Sequence, residues 1–318
     1  MSLRRGVLLS RLTTIRSVLG FAGLGLYTIT SIPTAHASSG EPDAVFSRFG
    51  FKSLRVQSVQ TVNDNTKRLV FEFPDPDARS GLSLTSALLT IMRPEGRWLP
   101  VLRPYTPISD LVTALKLNYY EGTLLMDFDG TTTDEPGQLE LMVKRYPNGK
   151  ASGHIHSLQP GDLLTFVAPL RGFSWKPNEF RHVYLLAGGA GITPIYQLVR
   201  GILKNPDDRT KITLVVGVNR EEDRLLRDEL DGYAKRFPER FRYLYTISHP
   251  QKQTKEESGD RTGYIDEELL RGLVKEPTDD SKVFVCGPPA MEDALVGSRK
   301  ASGILSRLGF SREQVYRF

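Results

Sequence analysis

Cysteine is nearly absent from this sequence, which has one, Cys286, in 318 residues. A lone cysteine excludes an intramolecular disulfide and any zinc or iron–sulfur site built on several cysteines. Redox chemistry in this chain would therefore need an organic cofactor, and no metal site is predicted. The charged fraction of 25% and the hydrophobic fraction of 39% are typical of a soluble globular protein.

Acidic residues are missing from the first forty positions, which contain four arginines. The whole chain has a net charge of +5, so the other residues together carry only +1. Residues 41–318 therefore lack the broad positive surface that binding to phosphate backbones requires, and nucleic-acid binding is not expected. Arginines among many Ser and Thr residues indicate a mitochondrial leader over residues 1–40. A secretory signal cleaved near Ala35-His36-Ala37 is the alternative.

Long hydrophobic runs are also lacking. The most apolar segment, residues 18–32, would span about 22 Å as a helix. The hydrocarbon core of a bilayer is about 30 Å thick. With its uncharged neighbours the segment is a candidate membrane anchor, and the alternative is that it belongs to a cleaved leader. Residues 41–49 are predicted to be a linker.

After the predicted linker, the sequence has the alternating pattern of β-strands. Residues 54–62 and 68–73 alternate between apolar and polar side chains, and Asn63-Asp64-Asn65 between them predicts a turn. Further strands are predicted at 139–143 and 163–166. The pattern predicts a small antiparallel β-barrel domain over residues 50–177.

After Pro177, strands and helices alternate, which predicts a second domain over residues 178–318 with a parallel sheet and right-handed crossovers. The predicted strands are 182–187, 211–218, 242–247 and 282–286. The predicted helices are 194–203, 223–236, 266–274 and one that begins at 289. The fold class is therefore α+β with two domains.

A glycine-rich segment, Gly188-Gly189-Ala190-Gly191-Ile192-Thr193-Pro194, follows the first of these strands and opens a helix. Glycine permits a sharp turn and a close approach to a ligand, and a helix N-terminus offers N–H groups to phosphate. Pro194 suits a first helical turn. Taken alone, this pattern fits a tight structural turn equally well.

Two further motifs place polar groups beside prolines. One is an apolar strand and its carboxyl end, Val283-Phe284-Val285-Cys286-Gly287-Pro288-Pro289. Ligands of open α/β sheets bind at the carboxyl ends of the strands, although a lone cysteine is most often a small buried hydrophobe. Arg103-Pro104-Tyr105-Thr106-Pro107-Ile108-Ser109 presents a guanidinium suited to phosphate, an aromatic plane and two hydroxyls. An exposed loop is the alternative interpretation of that motif.

Together these three motifs resemble those of the NADH–cytochrome b5 reductase group of ferredoxin-reductase-like flavoenzymes. They occur in the family's order over roughly residues 51–318, and the ending Val315-Tyr316-Arg317-Phe318 is also similar. The resemblance is closest to fungal mitochondrial members. It implies an FAD-binding barrel, then a Rossmann-like NADH-binding domain.

The resemblance also implies a role for each matching residue on the flavin side. Arg103 would hold the FAD pyrophosphate, Tyr105 would lie against the flavin, and Thr106 would hydrogen-bond near its N5 atom. The other matching positions that would bind FAD are Ser109, Val143, Lys144, Tyr146, Gly149, Lys150, Ala151 and Ser152.

On the nicotinamide side, the resemblance places Thr193 between flavin and nicotinamide. Cys286, Gly287 and Pro288 would form the other wall, so Thr106, Thr193 and Cys286 are the candidate catalytic residues. Gly189, Gly191 and Pro194 would shape the cofactor loop. Asp223 matches an acidic position that favours NADH over NADPH, and the neighbouring Arg220 and Arg224 could weaken that preference.

The sequence departs from the family pattern at several points. Ala151 stands where the family has Met, and Arg145 where it has an aliphatic residue. Residues 167–172 replace a Gly-Pro turn near the flavin, and residues 111–133 are an insertion. His154 and His156 alternate as on a strand and are interpreted as incidental rather than as metal ligands.

The resemblance implies that the chain takes hydride from NADH onto FAD and passes single electrons to a haem protein, cytochrome b5 in the first place. It also implies a mitochondrial membrane location, on the outer membrane or the intermembrane-space face. One alternative is a mitochondrial flavoprotein that reduces haem for cytochrome c maturation. Another is a non-catalytic nucleotide-binding membrane module, which intact Arg103, Thr106, Thr193 and Cys286 disfavour.

Overall fold

A computed structural model describes most of the chain beyond the leader. The described residues are 44–46, 50–94, 96, 98–109, 134–250, 260–274, 277–298 and 301–318, with the backbone alone at 116–120 and 123–127. The predicted leader and anchor lie outside these residues, as does most of the predicted linker. Within the described part of the chain, no helix has the length and apolar character needed to cross a membrane.

The first half forms an antiparallel six-stranded sheet. In order across the sheet, its strands are β4 (Val101–Tyr105), β3 (Ala87–Met92), β8 (Leu163–Leu170), β1 (Lys52–Asn63), β2 (Thr66–Glu72) and β7 (Gln138–Lys144). Within the predicted insertion, β5 (Lys116–Tyr120) and β6 (Thr123–Asp127) pair with each other as a separate hairpin. The antiparallel architecture was predicted correctly.

Apolar and polar side chains alternate along these strands, so one face of the sheet carries the apolar side chains that form the core. Phe71 and Phe166 are fully buried and meet edge to face at 5.6 Å between ring centroids. The predicted turn is confirmed, because Asn63 pairs with Thr66 across it. Beyond β4, the Ile108 N–H donates to the Glu140 carbonyl of β7 at 2.8 Å, so the chain after β4 reaches the opposite edge strand.

A helix that the sequence did not predict lies between β7 and β8. Helix α1 (Lys150–Ser157) carries His154 and His156, for which strand-like spacing was wrongly inferred. The physical reason is that the Gly153 N–H donates to the Gly149 carbonyl, so the turn at Gly149 continues into helix. The His156 ring packs back on β7, with Nε2 2.8 Å from the Val143 carbonyl oxygen.

The second half forms a parallel six-stranded sheet, as predicted. In order across the sheet, its strands are β12 (Arg261–Thr262), β11 (Phe241–Ile247), β10 (Lys211–Val218), β9 (His182–Gly188), β13 (Ser281–Cys286) and β14 (Val315–Arg317). Its helices are α2 (Ile192–Lys204), α3 (Arg227–Arg236), α4 (Glu267–Leu273), α5 (Pro289–Val296) and α6 (Ile304–Arg307). The predicted domain boundary after residue 177 falls in the segment between the two sheets.

The strand order reverses direction between β9 and β13. From β9 the chain builds outward through β10, β11 and β12, then returns to place β13 on the other side of β9. Ligands of open α/β sheets bind outside the carboxyl ends of the strands at such a reversal. The two predicted motifs, after β9 and after β13, therefore lie side by side at this point.

The start of α3 differs from the prediction of a helix over 223–236. Residues Glu221–Asp223 form a short 3-10 helix, and α3 begins only at Arg227. Leu226 has a left-handed φ of 62°, which interrupts helical geometry between the two. Asp223 therefore lies in a tight turn before α3 rather than on it.

Candidate active site

The glycine loop, residues 188–191, connects β9 to α2. Gly189 has a φ of 52°, a backbone conformation that glycine adopts without strain. Thr193 and Pro194 follow in the first turn of α2, and the Thr193 hydroxyl donates to the Ala190 carbonyl at 3.2 Å. Among the described residues, no side chain caps this helix N-terminus, which leaves its N–H groups available to an anionic ligand.

The second loop, residues 286–288, follows β13 and contacts the glycine loop backbone to backbone. A Cβ placed on Gly287 would lie 3.2 Å from both Cα and N of Gly188. Pro288 is exposed beside it. Burial raises the pKa of the Cys286 thiol to about 12, and the nearby Glu292 carboxylate adds to the effect. The thiol is therefore protonated at neutral pH and is no nucleophile there.

A cavity of about 1010 Å³ opens at the carboxyl ends of these strands. Its walls come from both halves of the chain. The predicted site residues among its lining are Lys144, Tyr146, Gly189, Asp223 and Pro288. A cavity of this size, lined by two loops with exposed backbone, suits an extended ligand such as a dinucleotide.

The Arg-Pro-Tyr-Thr motif runs along edge strand β4 and the residues after it. Arg103 is exposed, and its Nη1 donates to the Leu102 carbonyl at 2.7 Å. Tyr105 and Thr106 are half-buried. Burial raises the pKa of Tyr105 to about 12, while Arg103 acts in the opposite direction. Ser109 is buried, and its hydroxyl accepts from the Glu140 N–H at 3.3 Å.

The turn that opens α1 has the chemistry of a phosphate site. Helix α1 contacts both β4 and β7, and its N-terminus at Lys150 has no side-chain cap. A Cβ on Gly149 would lie 2.5 Å from the Ser152 hydroxyl oxygen and 3.0 Å from the Tyr146 carbonyl oxygen, so this turn needs glycine. Uncapped helical N–H groups beside the strand that carries Arg103 fit the pyrophosphate of FAD.

Ser152 and Ala151 of this turn already make contacts within the protein. The Ser152 hydroxyl donates to the Gly149 carbonyl and accepts from the Tyr146 N–H, both at 3.2 Å. Ala151 is buried in the core of the first sheet. Its small side chain replaces the family's Met within the core, away from the helical N–H groups that suit phosphate.

Lys144 and Asp223 join the two halves of the chain across the cavity wall. Lys144 Nζ lies 2.7 Å from Asp223 Oδ1, and Asn65 Nδ2 donates to the same oxygen at 3.1 Å. The Asp223 side chain is 5% exposed and that of Lys144 14%. Burial of Asp223 opposes its ionisation, but the hydrogen bonds from Lys144 and Asn65 outweigh burial and lower its pKa.

Val143 and Tyr146, two further positions predicted to bind FAD, point in different directions. Val143 is buried in the core of the first sheet, so its side chain faces away from the cavity. Tyr146 is 48% exposed, and burial raises the pKa of its hydroxyl while the nearby backbone of Ala190 in the glycine loop acts in the opposite direction. Tyr146 thus lies between the predicted flavin-binding residues and the glycine loop.

The two arginines expected to weaken a preference for NADH have acidic partners. Arg224 forms an ion pair with Asp260, and its Nε donates to the Glu221 carbonyl. Arg220 is exposed and lies 3.5 Å from Glu222. Arg220 also lines the cavity, whereas Arg224 is not among its lining residues.

Sequence reasoning missed one part of the cavity wall. The turn at residues 63–65, predicted only as a hairpin connection, lines the cavity, and Asn63 Nδ2 donates to the Glu222 carbonyl at 2.6 Å. Met291 of α5 and the exposed Tyr264 line it too. Two asparagines in a two-strand turn were the available signal, but a turn of that composition is also common without any ligand.

Comparison with known proteins also assigns FAD binding to the first half of the chain and NAD binding to the second. Residues 129–175 match the family described as "Oxidoreductase FAD-binding domain", and residues 185–296 match "Oxidoreductase NAD-binding domain". The cytochrome b5 reductase domain of Ulva prolifera nitrate reductase has a similar fold, with a TM-score of 0.69 and 23% identity. That match covers 87% of this chain and 100% of that domain.

Two fungal relatives are similar over almost the whole chain. NADH-cytochrome b5 reductase 2 of Pyricularia oryzae is 42% identical, covering 96% of this chain and 88% of that protein. The protein of the same name from Aspergillus fumigatus is 42% identical, covering 93% and 86%. The chain therefore belongs to the NADH–cytochrome b5 reductase family and is an FAD- and NADH-dependent oxidoreductase.

Proposed function

We propose that this enzyme passes electrons from NADH, by way of FAD, to a haem protein, cytochrome b5 in the first place. The observation that carries the proposal is the 42% identity to fungal NADH-cytochrome b5 reductase 2 over nearly the whole chain. Exposed Lys150, Arg171 and Lys176 support it, because they place positive charge on the half that carries residues 103–109 (the flavin motif). Such charge complements an acidic haem protein.

Different residues would bind the FAD pyrophosphate, the flavin ring system and the nicotinamide. Arg103, the N-terminus of α1 and the Gly149 turn would hold the FAD pyrophosphate, while Tyr105, Thr106 and Tyr146 would face the ring system. The glycine loop, Thr193, Gly287 and Pro288 would hold the nicotinamide end of NADH. FAD, when bound, supplies the chemistry that accepts a hydride and releases electrons singly.

Asp223 would act at the adenosine end of NADH. Its lowered pKa keeps the carboxylate ionised at neutral pH. Asp223 matches the acidic position that favours NADH over NADPH in this family, and because the Lys144 ammonium neutralises much of its charge, its repulsion of a 2′-phosphate is expected to be modest. Since Lys144 and Asn65 hold this carboxylate in place, its charge lies at a fixed position in the wall.

The proposal predicts that the full-length protein, purified in detergent, is yellow and loses its visible flavin absorbance when NADH is added without oxygen. Oxidised cytochrome b5 added next should become reduced. The double variant Arg171→Glu, Lys176→Glu should reduce cytochrome b5 about tenfold more slowly at low salt because it reverses the local charge. Its reduction of a neutral quinone should be unchanged.

A double variant with the same charge change elsewhere, Lys211→Glu, Lys235→Glu, is the control and should reduce cytochrome b5 normally. If NADH bleaches the flavin but cytochrome b5 stays oxidised, the acceptor is wrong. Free haem or the haem of cytochrome c would then be the next acceptor to test. A protein that cannot take up FAD would contradict the enzymatic proposal altogether.

We also propose that residues 1–40 place the enzyme on a mitochondrial membrane, at the outer membrane or the intermembrane-space face. The four arginines and the absence of acids in this segment support the location, and the uncharged residues 18–32 support an anchor. The full chain should sediment with mitochondrial membranes after carbonate extraction. A chain that lacks residues 1–40 should remain in the soluble cell fraction, and equal distribution of the two would refute the assignment.

A further inference from the structure

Helix α2 makes its own contacts with the flavin motif, separately from the loop that it follows. Gln197 is 1% exposed, and its Nε2 donates to the carbonyl oxygens of Pro107 at 2.5 Å and Ser109 at 2.7 Å. Arg200 Nη1 donates to the Ile108 carbonyl at 2.6 Å. Three successive carbonyls of the flavin motif are thus bound by two side chains of one helix.

These carbonyls need donors because of where they lie. Strand β4 ends at Tyr105, and Pro107, Ile108 and Ser109 are buried beyond it. Buried backbone carbonyls without partners are costly, and a segment without a strand partner must find them elsewhere. On the opposite side, the Ile108 N–H donates to Glu140 of β7. The segment is therefore held between β7 and α2.

The same helix carries the predicted nicotinamide contact. Thr193 lies in the first turn of α2, and Gln197 lies four residues later. Residues four apart lie on the same helix face, about 6 Å apart along the axis. The helical backbone is rigid over this distance, so the positions of Thr193 and of the carbonyls held by Gln197 are linked.

We propose that Gln197 is a positioning residue that sets the distance between the flavin motif and the glycine loop. The inference rests on the proposed transfer from NADH to FAD, and it adds a determinant of alignment that touches neither cofactor. Arg200 supports the same segment through Ile108. A misplacement of about 1 Å between reacting groups slows a reaction by about a hundredfold, so loss of this contact should have a kinetic effect.

The test compares three variants of the full-length enzyme. Gln197→Met removes both donors but keeps the side-chain length, whereas Gln197→Glu keeps the shape and replaces the amide with a carboxyl. Tyr196→Phe is the matched control, since the Tyr196 ring packs beside Tyr233 inside the second half of the chain, with 6.4 Å between the ring centroids. Like Gln197, Tyr196 is buried on α2.

The first readout is amide hydrogen exchange of the segment 102–109 in the protein without cofactor. We expect Gln197→Met to speed exchange at Ile108 and Ser109 about tenfold or more, since the segment loses two hydrogen bonds. Tyr196→Phe should leave exchange there unchanged. The second readout is the rate of flavin bleaching at saturating NADH, which should fall about 10- to 100-fold in Gln197→Met alone.

Gln197→Glu adds a pH-dependent test of the same contact. A buried carboxyl favours its neutral form, which can still donate to one carbonyl. We therefore expect bleaching in Gln197→Glu to slow as the pH rises from about 5 to about 8, relative to the unmodified enzyme. Bleaching in Gln197→Met should show no such added pH dependence.

The two proposals fail in different ways. If the unmodified enzyme does not bleach with NADH, the proposed function fails, and the exchange result then stands on its own. If the unmodified enzyme bleaches and FAD-loaded Gln197→Met bleaches equally fast, the positioning role is refuted. Reduction by dithionite confirms that the bound flavin of each variant is itself competent.

Discussion

Replacing Gly191 with alanine should slow the loss of flavin absorbance on adding NADH by at least about a hundredfold. A Cβ at this position would lie 2.5 Å from the carbonyl carbon of Cys286 and 2.9 Å from the Gly287 nitrogen, and closer still to the Cys286 oxygen. The atoms in the way are backbone at the end of a central strand, which cannot rotate aside. The two loops that should enclose the nicotinamide would have to separate.

The measurement is stopped-flow bleaching at saturating NADH, with FAD content checked beforehand. FAD uptake should be normal, because Gly191 lies outside the flavin motif and the α1 turn. Gly232→Ala in α3 is the control, since a Cβ there meets nothing within 4 Å. Wild-type bleaching in Gly191→Ala would show that close contact between the two loops is dispensable.

The second large effect is expected from Lys144→Met, which should lower the free energy of unfolding by about 3 kcal/mol at neutral pH. Removing the ammonium leaves the Asp223 carboxylate buried, and in the part of the chain that the structure describes Asn65 is then its one side-chain donor. A buried charge that loses its partner is strongly destabilising. Urea denaturation of the protein without cofactor, followed by circular dichroism, measures the difference.

The pH dependence of this loss has a defined sign. In the unmodified protein the pKa of Asp223 is lowered, so the pair stabilises the fold above the ordinary value of 3.8 and the stabilisation is lost as the pH falls. Without Lys144, the pKa of Asp223 should rise, because its hydrogen bond and its positive charge both lower that pKa in the unmodified protein. The deficit of Lys144→Met should therefore be largest at neutral pH and shrink as the pH approaches about 4.

Two further variants separate this pair from ordinary ion pairing. The double variant Lys144→Met, Asp223→Asn removes both charges and should recover most of the lost stability. Arg55→Met breaks the exposed pair with Glu72 in the same sheet and should cost less than about 1 kcal/mol. Equal losses from Lys144→Met and Arg55→Met would show that burial of the pair is unimportant.

Local patterns in the sequence predicted most of the longer elements, but they did not predict β3, β4, β12, α6 or β14. Alternation found β1 and β2, the asparagine turn joined them, and apolar runs found β9, β10 and β13 within one or two residues. The errors arose where short-range bonding decided the outcome. A helix begins after Gly149, so His154 and His156 lie on a helix and not on a strand. Leu226 has a left-handed φ, so α3 begins after it and does not include Asp223.

The site was predictable only as separate motifs. Gly-x-Gly-x-x-Pro and Cys-Gly-Pro-Pro each follow a strand, and the rule for parallel sheets placed them at one edge. The contacts between the two halves were not predictable, because Lys144 and Asp223 are 79 residues apart and Gln197 and Pro107 are 90 apart. Such pairs depend on how two folded sheets meet, which no local pattern records.

The strand order has a consequence for the synthesis of this protein on the ribosome. Strand β9 lies between β10 and β13, yet β13 begins roughly 100 residues after β9. At typical translation rates, about 5 to 20 s pass before β13 emerges. During that interval one edge of a strand with six consecutive buried residues, Val183 to Gly188, has no partner. The nascent chain is therefore most exposed to aggregation before the NADH half can close, and a chaperone that covers this edge would act within that window.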